Sequence, residues 1–296
     1  MPAIQIPPGV EGILGIHELP DASWQDRWDR IFMPAELKTR LLNYMLFSLR
    51  HRGRLSQVGL PVHGLVVLGG PPGTGKTTLA GGLADQAARA LEGAPLLFVD
   101  VNPHAFPSQL LGESQRSVAR LFERTLPDIA QRGYPVVVLL DEVESMAVSR
   151  AGASLETNPV DVHRATDAVL AGMDHVARAH PNLTFVATTN HAQGVDSAFL
   201  SRADLIENID YPGREAVTSI LADALTEIGA ADPGSPALDD LAAACVAARL
   251  DGRQVRKLIL RAVCTRRELA LAPERLQVDD LLRALDSLDQ DAGSAR

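Results

Sequence analysis

The sequence predicts an α/β fold built on a five-stranded parallel sheet, followed by a small all-helical domain. Three observations carry this. Short, near-continuous apolar runs recur at Leu65–Leu68, Leu96–Val101, Val136–Leu140, Leu183–Thr189 and Leu205–Ile209. Strands covered on both faces read this way, whereas half-solvated strands alternate. Helical text such as Thr77–Ala90 and Ser114–Gln131 separates the runs, as the crossovers of a parallel sheet require. After Pro212-Gly213 no further strand is expected: Arg214–Gly229, Leu238–Leu250, Gly252–Ala270 and Val278–Leu288 read as helices, broken at Gly229–Pro236 by a turn-rich stretch.

Ahead of the sheet, residues 1–22 carry Pro7, Pro8, Gly9, Gly12, Gly15 and Pro20 and read as an extended or loosely ordered segment. An amphipathic pattern from Trp24 to Arg52 breaks at Pro34, which suits the first turn of a helix running to about Leu49. Leu37, Leu41, Leu42, Met45, Leu46 and Leu49 recur at helical spacing and are expected in the core. The tail from Asp289 is polar and expected to fray. The expected domains are thus an N-terminal extended segment, 1–22, an α/β domain, 23–212, and a helical domain, 213–296.

The chain has 296 residues, 46% hydrophobic and 22% charged, enough for a core without staples. Cys245 and Cys264, both in helical text, read as buried free thiols; neither has a CxxC partner, so no zinc site is expected. The first residues have no basic run followed by an apolar one, and no stretch approaches the roughly 18–20 apolar residues of a membrane span. A cytoplasmic location without membrane contact is expected. The net charge of −9 gives no basic footprint for nucleic acid. Arg50-His51-Arg52-Gly53-Arg54 is a local basic exception, read as a solvated helix end.

Residues 70–77, Gly70-Pro71-Pro72-Gly73-Thr74-Gly75-Lys76-Thr77, satisfy G-x-x-x-x-G-K-[ST] at every fixed position. Its glycines let backbone N–H groups turn around phosphate oxygens, and its lysine reaches the β- and γ-phosphates. Its threonine joins a Mg²⁺ shell. A strand before and a helix after the loop supply the context this mechanism needs, with the helix N-terminus facing the phosphates. ATP and Mg²⁺ are the expected ligands, and the adjoining Thr78 joins the candidate contacts. Asp141-Glu142 ends the third strand, at the carboxyl edge where open α/β sheets bind ligands. Asp141 is the candidate Mg²⁺ support, with Thr77, and Glu142 the candidate base for the attacking water. Thr188-Thr189-Asn190 ends the fourth strand, with Asn190 placed to hold that water or touch the γ-phosphate. Arg202, just before the fifth strand, is the candidate arginine supplied to a neighbouring subunit's site. Arg253 is the candidate sensor of the helical domain, with Arg256 as its competitor; surface ion pairing is the alternative for all three arginines.

With these signals in this order, the chain resembles the AAA+ ATPases over essentially its whole length. Asp141-Glu142-Val143-Glu144-Ser145-Met146, Ala168-Val169-Leu170, Phe199-Leu200-Ser201-Arg202-Ala203-Asp204 and Gly252-Arg253-Gln254-Val255-Arg256-Lys257 are similar to the pachytene-checkpoint group in particular. The resemblance implies a phosphate-loop AAA+ domain with a helical lid, working as a homo-hexamer that remodels a HORMA-domain protein. Bacterial relatives of this kind imply a HORMA–CD-NTase complex as target and restraint of anti-phage signalling as outcome. A DNA-directed ATPase of clamp-loader or transposition-helper type is the rival reading. The residues before Trp24 are expected to be too few for the group's separate N-terminal recognition domain. The resemblance also places a pore loop at Leu110-Leu111-Gly112-Glu113-Ser114, where leucines stand in place of the usual aromatic and could pack internally instead. A second pore-facing loop is expected within Ser149–Asp161, and Ile31 and Phe32 are expected at the adenine from their place ahead of the core.

Overall fold

The computed structural model describes residues 12–55, 62–102, 106, 113–147, 159–230 and 236–294. Two compact units are present: Met1–Trp28 with Ala35–Gly70 and Lys76–Ile209, and Asp29–Pro34 with Pro71–Gly75 and Asp210–Arg296.

The first unit opens with β1 (Ile13–Leu19), α1 (Ala22–Asp29) and α2 (Ala35–Leu55). There follow β2 (Leu65–Gly69), α3 (Lys76–Ala90), β3 (Leu96–Val101), α4 (Glu113–Arg120), α5 (Leu126–Ala130) and β4 (Val136–Leu140). It closes with α6 (Pro159–Ala179), β5 (Leu183–Thr189), α7 (Ser197–Leu200) and β6 (Leu205–Asn208). The strands form one sheet in the order β1-β3-β4-β5-β2-β6. From β3 to β6 the pairing is parallel, with Val99 opposite Val138, Val138 opposite Phe185, Val66 opposite Val186 and Val67 opposite Ile206. These are the five strands the apolar runs predict, and β2, β4 and β5 are buried along their length.

A sixth strand is the main correction. β1 falls in the segment read as extended or loosely ordered, with no strand assigned, and it pairs antiparallel with β3, Ile16 opposite Val99 and Leu19 opposite Leu96. Glycines and prolines lower the intrinsic strand preference of this segment, but an open sheet edge supplies hydrogen bonds that no local pattern reveals. Just beyond β1, Trp24 of α1 packs edge-on against Phe98, ring centroids 5.1 Å apart. A Cβ on Gly82 would meet the Trp28 backbone at 2.8 Å, so the glycine lets α1 lie directly on α3. The buried Asp85 of α3 completes this attachment, accepting from Asp21 N at 3.0 Å and Arg89 Nε at 2.8 Å.

Two helices differ from the periodicity. α2 runs to Leu55 rather than Leu49, because Arg52 is drawn inward rather than solvated. It is 1% exposed and donates to the carbonyls of His63, His180 and Leu183. Burial lowers its pKa to about 10. Arg50, His51 and Arg54 stay exposed. The stretch 114–131 is not one α-helix: Leu121–Thr125 widens into a π-type turn before α5. Pro127 has no N–H to continue the regular ladder, and the Leu126 N–H reaches back to the Leu121 carbonyl.

At the starts of the strands, Asp204 collects donors. It accepts from the backbone N–H of His63 (3.1 Å), Gly64 (2.6 Å) and Leu65 (3.2 Å), and from the Tyr44 hydroxyl (2.6 Å). Desolvation, reinforced by the Asp204 charge, pushes the Tyr44 phenol well above its usual range.

In the second unit α8 (Arg214–Glu227), α9 (Pro236–Ala247), α10 (Gly252–Cys264), α11 (Arg267–Leu271) and α12 (Val278–Ser294) share one apolar core. Leu221, Leu225, Leu241, Cys245, Leu258 and Leu281 form its centre. Burial raises the Cys245 thiol to about 11. Cys264 is exposed, against expectation. α10 buries Val255, Leu258, Ile259 and Ala262, and position 264 lies about two residues, or roughly 200°, off that stripe. α12 continues to Ser294 where fraying was expected.

Asp204 gathers three strand-start amides, so its removal is expected to cost about 2–4 kcal/mol. Chemical denaturation of Asp204→Ala should show a lower midpoint with an unchanged slope, and an unshifted midpoint would contradict the role given to this carboxylate.

Candidate nucleotide site

In a parallel sheet every carboxyl end lies along one edge. β5 sits between β4 and β2, so the segments leaving these three strands emerge side by side. They are the phosphate loop after β2, Asp141-Glu142 after β4 and Asn190 after β5. Strand order also reverses here, since the chain leaves β2 for β3 on one side and reaches β6 on the other.

Within the first unit the side chains are tied together. Lys76, at the start of α3 and 6% exposed, donates from Nζ to Gly70 O at 2.8 Å and to Asn190 Oδ1 at 2.8 Å. The Asn190 amide then donates from Nδ2 to Glu142 Oε1 at 2.9 Å. One carboxamide thus holds the loop lysine and the candidate base together. A second chain runs beside it: Thr77 Oγ1 donates to Asp141 Oδ1 at 2.9 Å, and Thr188 Oγ1 donates to the same oxygen at 2.5 Å. Thr188 Oγ1 in turn accepts from the Glu142 N–H at 2.9 Å. Glu142 itself sits at φ 55, ψ 54, a left-handed conformation costing roughly 1–3 kcal/mol for a residue with a Cβ. The turn it makes swings the carboxylate off the strand direction. On β3, burial and then the Asp141 charge raise the Asp100 carboxyl.

The sequence alone gave no role to Thr188 or Glu144. Thr188 lies near the end of β5, two residues before Asn190, and that nearness was the available signal. Glu144, in the short turn Val143–Ser145, accepts from the Asn190 N–H at 3.0 Å through Oε1, while its buried Oε2 has no partner. Nothing local marks it, because the contact closes across two strand ends.

In the second unit the loop residues 71–75 are shaped by glycine. Gly73 has φ 78, and a Cβ there would overlap the Asp251 carboxylate at 2.3–2.5 Å. Thr74 Oγ1 donates to Pro71 O at 3.0 Å. Ile31 stands beside the loop, its Cδ1 2.7 Å from where a Gly75 Cβ would lie, while Phe32 packs against the helical core. Asp251 caps α10 in a reciprocal box with Gln254, and the Arg253 N–H donates to Gly73 O at 3.3 Å. The Arg253 side chain is exposed. Arg256 is instead paired with Asp223 and Glu227 of α8.

Arg202 lies in the turn between α7 and β6, away from the chains just described in that it bonds Asp174 and Ala198 rather than any of their members. Leu110 and Leu111 fall outside the described residues, as does the stretch 149–158 of the expected second pore loop. No helix among the described residues is long and apolar enough to cross a membrane.

Within the first unit the arrangement brings a lysine ammonium beside a carboxamide and two strand-end carboxylates. Comparison with known proteins gives the family. Residues 66–211 match the ATPase family associated with various cellular activities (AAA). The chain is 43% identical to the CD-NTase-associated protein 6 of Pseudomonas aeruginosa over 285 residues, covering 93% of each. It is 33% identical over 213 residues to the pachytene checkpoint protein 2 homolog of Danio rerio, covering 71% of this chain and 50% of that protein. The chain thus spans about half the length of the pachytene relatives. Among solved structures, C. elegans PCH-2 superposes with a TM-score of 0.74 at 25% identity, over 96% of this chain and 77% of that one. A chain of the E. coli MS115-1 HORMA:CdnC:Trip13 complex shares the fold, with a TM-score of 0.79 at 21% identity over 95% and 97%. The chain is therefore a nucleotide-binding ATPase of the AAA family, it belongs with CD-NTase-associated protein 6, and it is similar to the pachytene checkpoint proteins over their matched half.

Proposed function

We propose that this ATPase is a cytoplasmic, homo-hexameric remodeller that partially unfolds a HORMA-domain partner, so that a HORMA–CD-NTase complex comes apart and anti-phage signalling is restrained. The observation that carries the catalytic half is the Asn190 carboxamide, bonded at once to Lys76 and Glu142. The partner half rests on likeness to CD-NTase-associated protein 6 and on the neighbour solved with HORMA and CdnC.

Residues 70–78 would cradle the phosphates, with Lys76 exchanging Gly70 O for β- and γ-oxygens. The pair Thr77 Oγ1 and Asp141 Oδ1 suits Mg²⁺, which takes few protein oxygens and completes its shell with phosphate and water. Bound there, Mg²⁺ would neutralise charge accumulating on the phosphates. Glu142 takes the proton of the attacking water, and Asn190 fixes that carboxylate relative to Lys76. Arg202 of an adjoining subunit supplies positive charge at the γ-phosphate. Residues 213–296 act as the lid, with Arg253, exposed at the start of α10, as its sensor; Arg256 serves the lid's internal ion pairing. Ile31, beside Gly75, is the better adenine contact, since Phe32 packs against the helical core. Lid motion would carry Leu110 and Leu111 along the pore against the partner chain.

Glu142→Gln should bind ATP normally and hydrolyse it at least about 100-fold more slowly, measured by nucleotide affinity beside phosphate release. Wild-type turnover in that variant would remove Glu142 as the base. Incubated with a preformed HORMA–CD-NTase complex, wild-type protein plus ATP should release the synthase on size exclusion, while the Gln variant should leave the complex intact. Release without hydrolysis, or none with it, would refute the remodelling assignment.

A further inference from the structure

We propose that Asp174 is a positioning residue for Arg202, orienting its guanidinium so that the terminal edge faces the γ-phosphate of a neighbouring subunit. This rests on the reading that Arg202 acts in trans. Asp174 belongs to α6, and Arg202 to the turn that follows α7. Arg202 Nε donates to Asp174 Oδ1 and Nη2 to Oδ2, both at 2.8 Å, a side-on fork. Nη1 donates to Ala198 O at 2.7 Å, so every guanidinium nitrogen is anchored and the plane is fixed in two directions.

The count of donors decides what the fork can be for. A guanidinium carries one N–H on Nε and two on each terminal nitrogen. Among the described residues the three bonds use one on each nitrogen, which leaves one N–H on Nη1 and one on Nη2. These nitrogens form the terminal edge, and their two remaining donors are what the fork keeps for phosphate oxygens. The side chain is 23% exposed and that of Asp174 30%, so the pair sits at the surface rather than sealed inside. The Arg202 hydrogen bond holds the Asp174 carboxyl below its usual range, and the pair is charged at neutral pH.

The carboxylate does reduce the net charge offered to a phosphate. Against that, the long side chain has already lost its rotamer freedom before the neighbour arrives, so less is lost when the phosphate is engaged. A carboxylate that merely locked the arginine away would act in the opposite direction, and its removal would speed hydrolysis. The sign of the effect therefore separates positioning from inhibition.

The test is steady-state ATPase of Asp174→Ala, Asp174→Glu, Arg202→Ala and the double variant D174A/R202A, with D174A also mixed with Glu142→Gln. D174A should lose about tenfold in kcat with KM within about twofold, and Asp174→Glu should recover part of the rate. The double variant should be no slower than R202A alone. Mixing D174A with E142Q should restore turnover, because E142Q subunits bring an intact Arg202 fork to sites that keep their own base. D174A at or above wild-type rate, beside an impaired R202A, would overturn the positioning role and leave the arginine's own role standing. A D174A defect that mixing does not restore would mark a folding fault and also overturn it. Normal turnover in R202A would defeat the arginine reading itself, and this proposal with it.

Discussion

A buried ammonium is the constraint around which this site is arranged. Lys76 is almost wholly enclosed at the start of α3, and a charge so placed is tolerated only where polar groups replace its water. The replacements are the Gly70 carbonyl and the Asn190 carboxamide. Both belong to neighbouring strand ends, so these two bonds form together when β2 and β5 are in register. Asn190 then donates one amide N–H to Glu142, which brings β4 into the same arrangement. Backbone pairing of three strands and the chemistry at their tips are in this way one problem with one solution.

The opposite edge of the sheet solves a matching problem with the charges reversed. Strand starts there offer unpaired backbone groups, and two ionised side chains absorb them: Asp204 takes the amides of residues 63–65, while Arg52 takes the carbonyls of residues 63, 180 and 183. Each would be costly to bury alone. Together they fix where β2 and β5 begin, and a parallel strand whose start is fixed delivers its end to a fixed height. Ser201-Arg202-Ala203-Asp204 therefore carries two different jobs in adjacent residues, the aspartate holding the sheet and the arginine facing outward with its own partner on α6.

Much of this was legible in the sequence, because the relevant signals are local. The phosphate loop is contiguous, the parallel strands are contiguous apolar runs, and Asp141-Glu142 and Asn190 directly follow such runs. What escaped reading depends on partners distant along the chain. β1 exists because β3 leaves an edge open, and its own Gly12, Gly15 and Pro20 argue against it. Arg52 looked like a solvated helix end because nothing near it in sequence shows the carbonyls it meets more than a hundred residues later. Asp174 is one of three aspartates on α6 until Arg202 is folded against it. The π-type turn at Leu121–Thr125 had a visible cause in Pro127, yet apolar periodicity reads straight through it.

In the proposed motor one triphosphate is gripped by the loop of one subunit and completed by an arginine of the next. The decisive measurement is the structure of the Glu142→Gln protein assembled with ATP and Mg²⁺. It should show Lys76 Nζ moved onto the β- and γ-phosphates, Asn190 still against residue 142, and the terminal edge of an adjoining Arg202 within hydrogen-bond distance of the γ-phosphate. An assembly that places that guanidinium far from every nucleotide, or that leaves Lys76 on the Gly70 carbonyl with ATP bound, would contradict it.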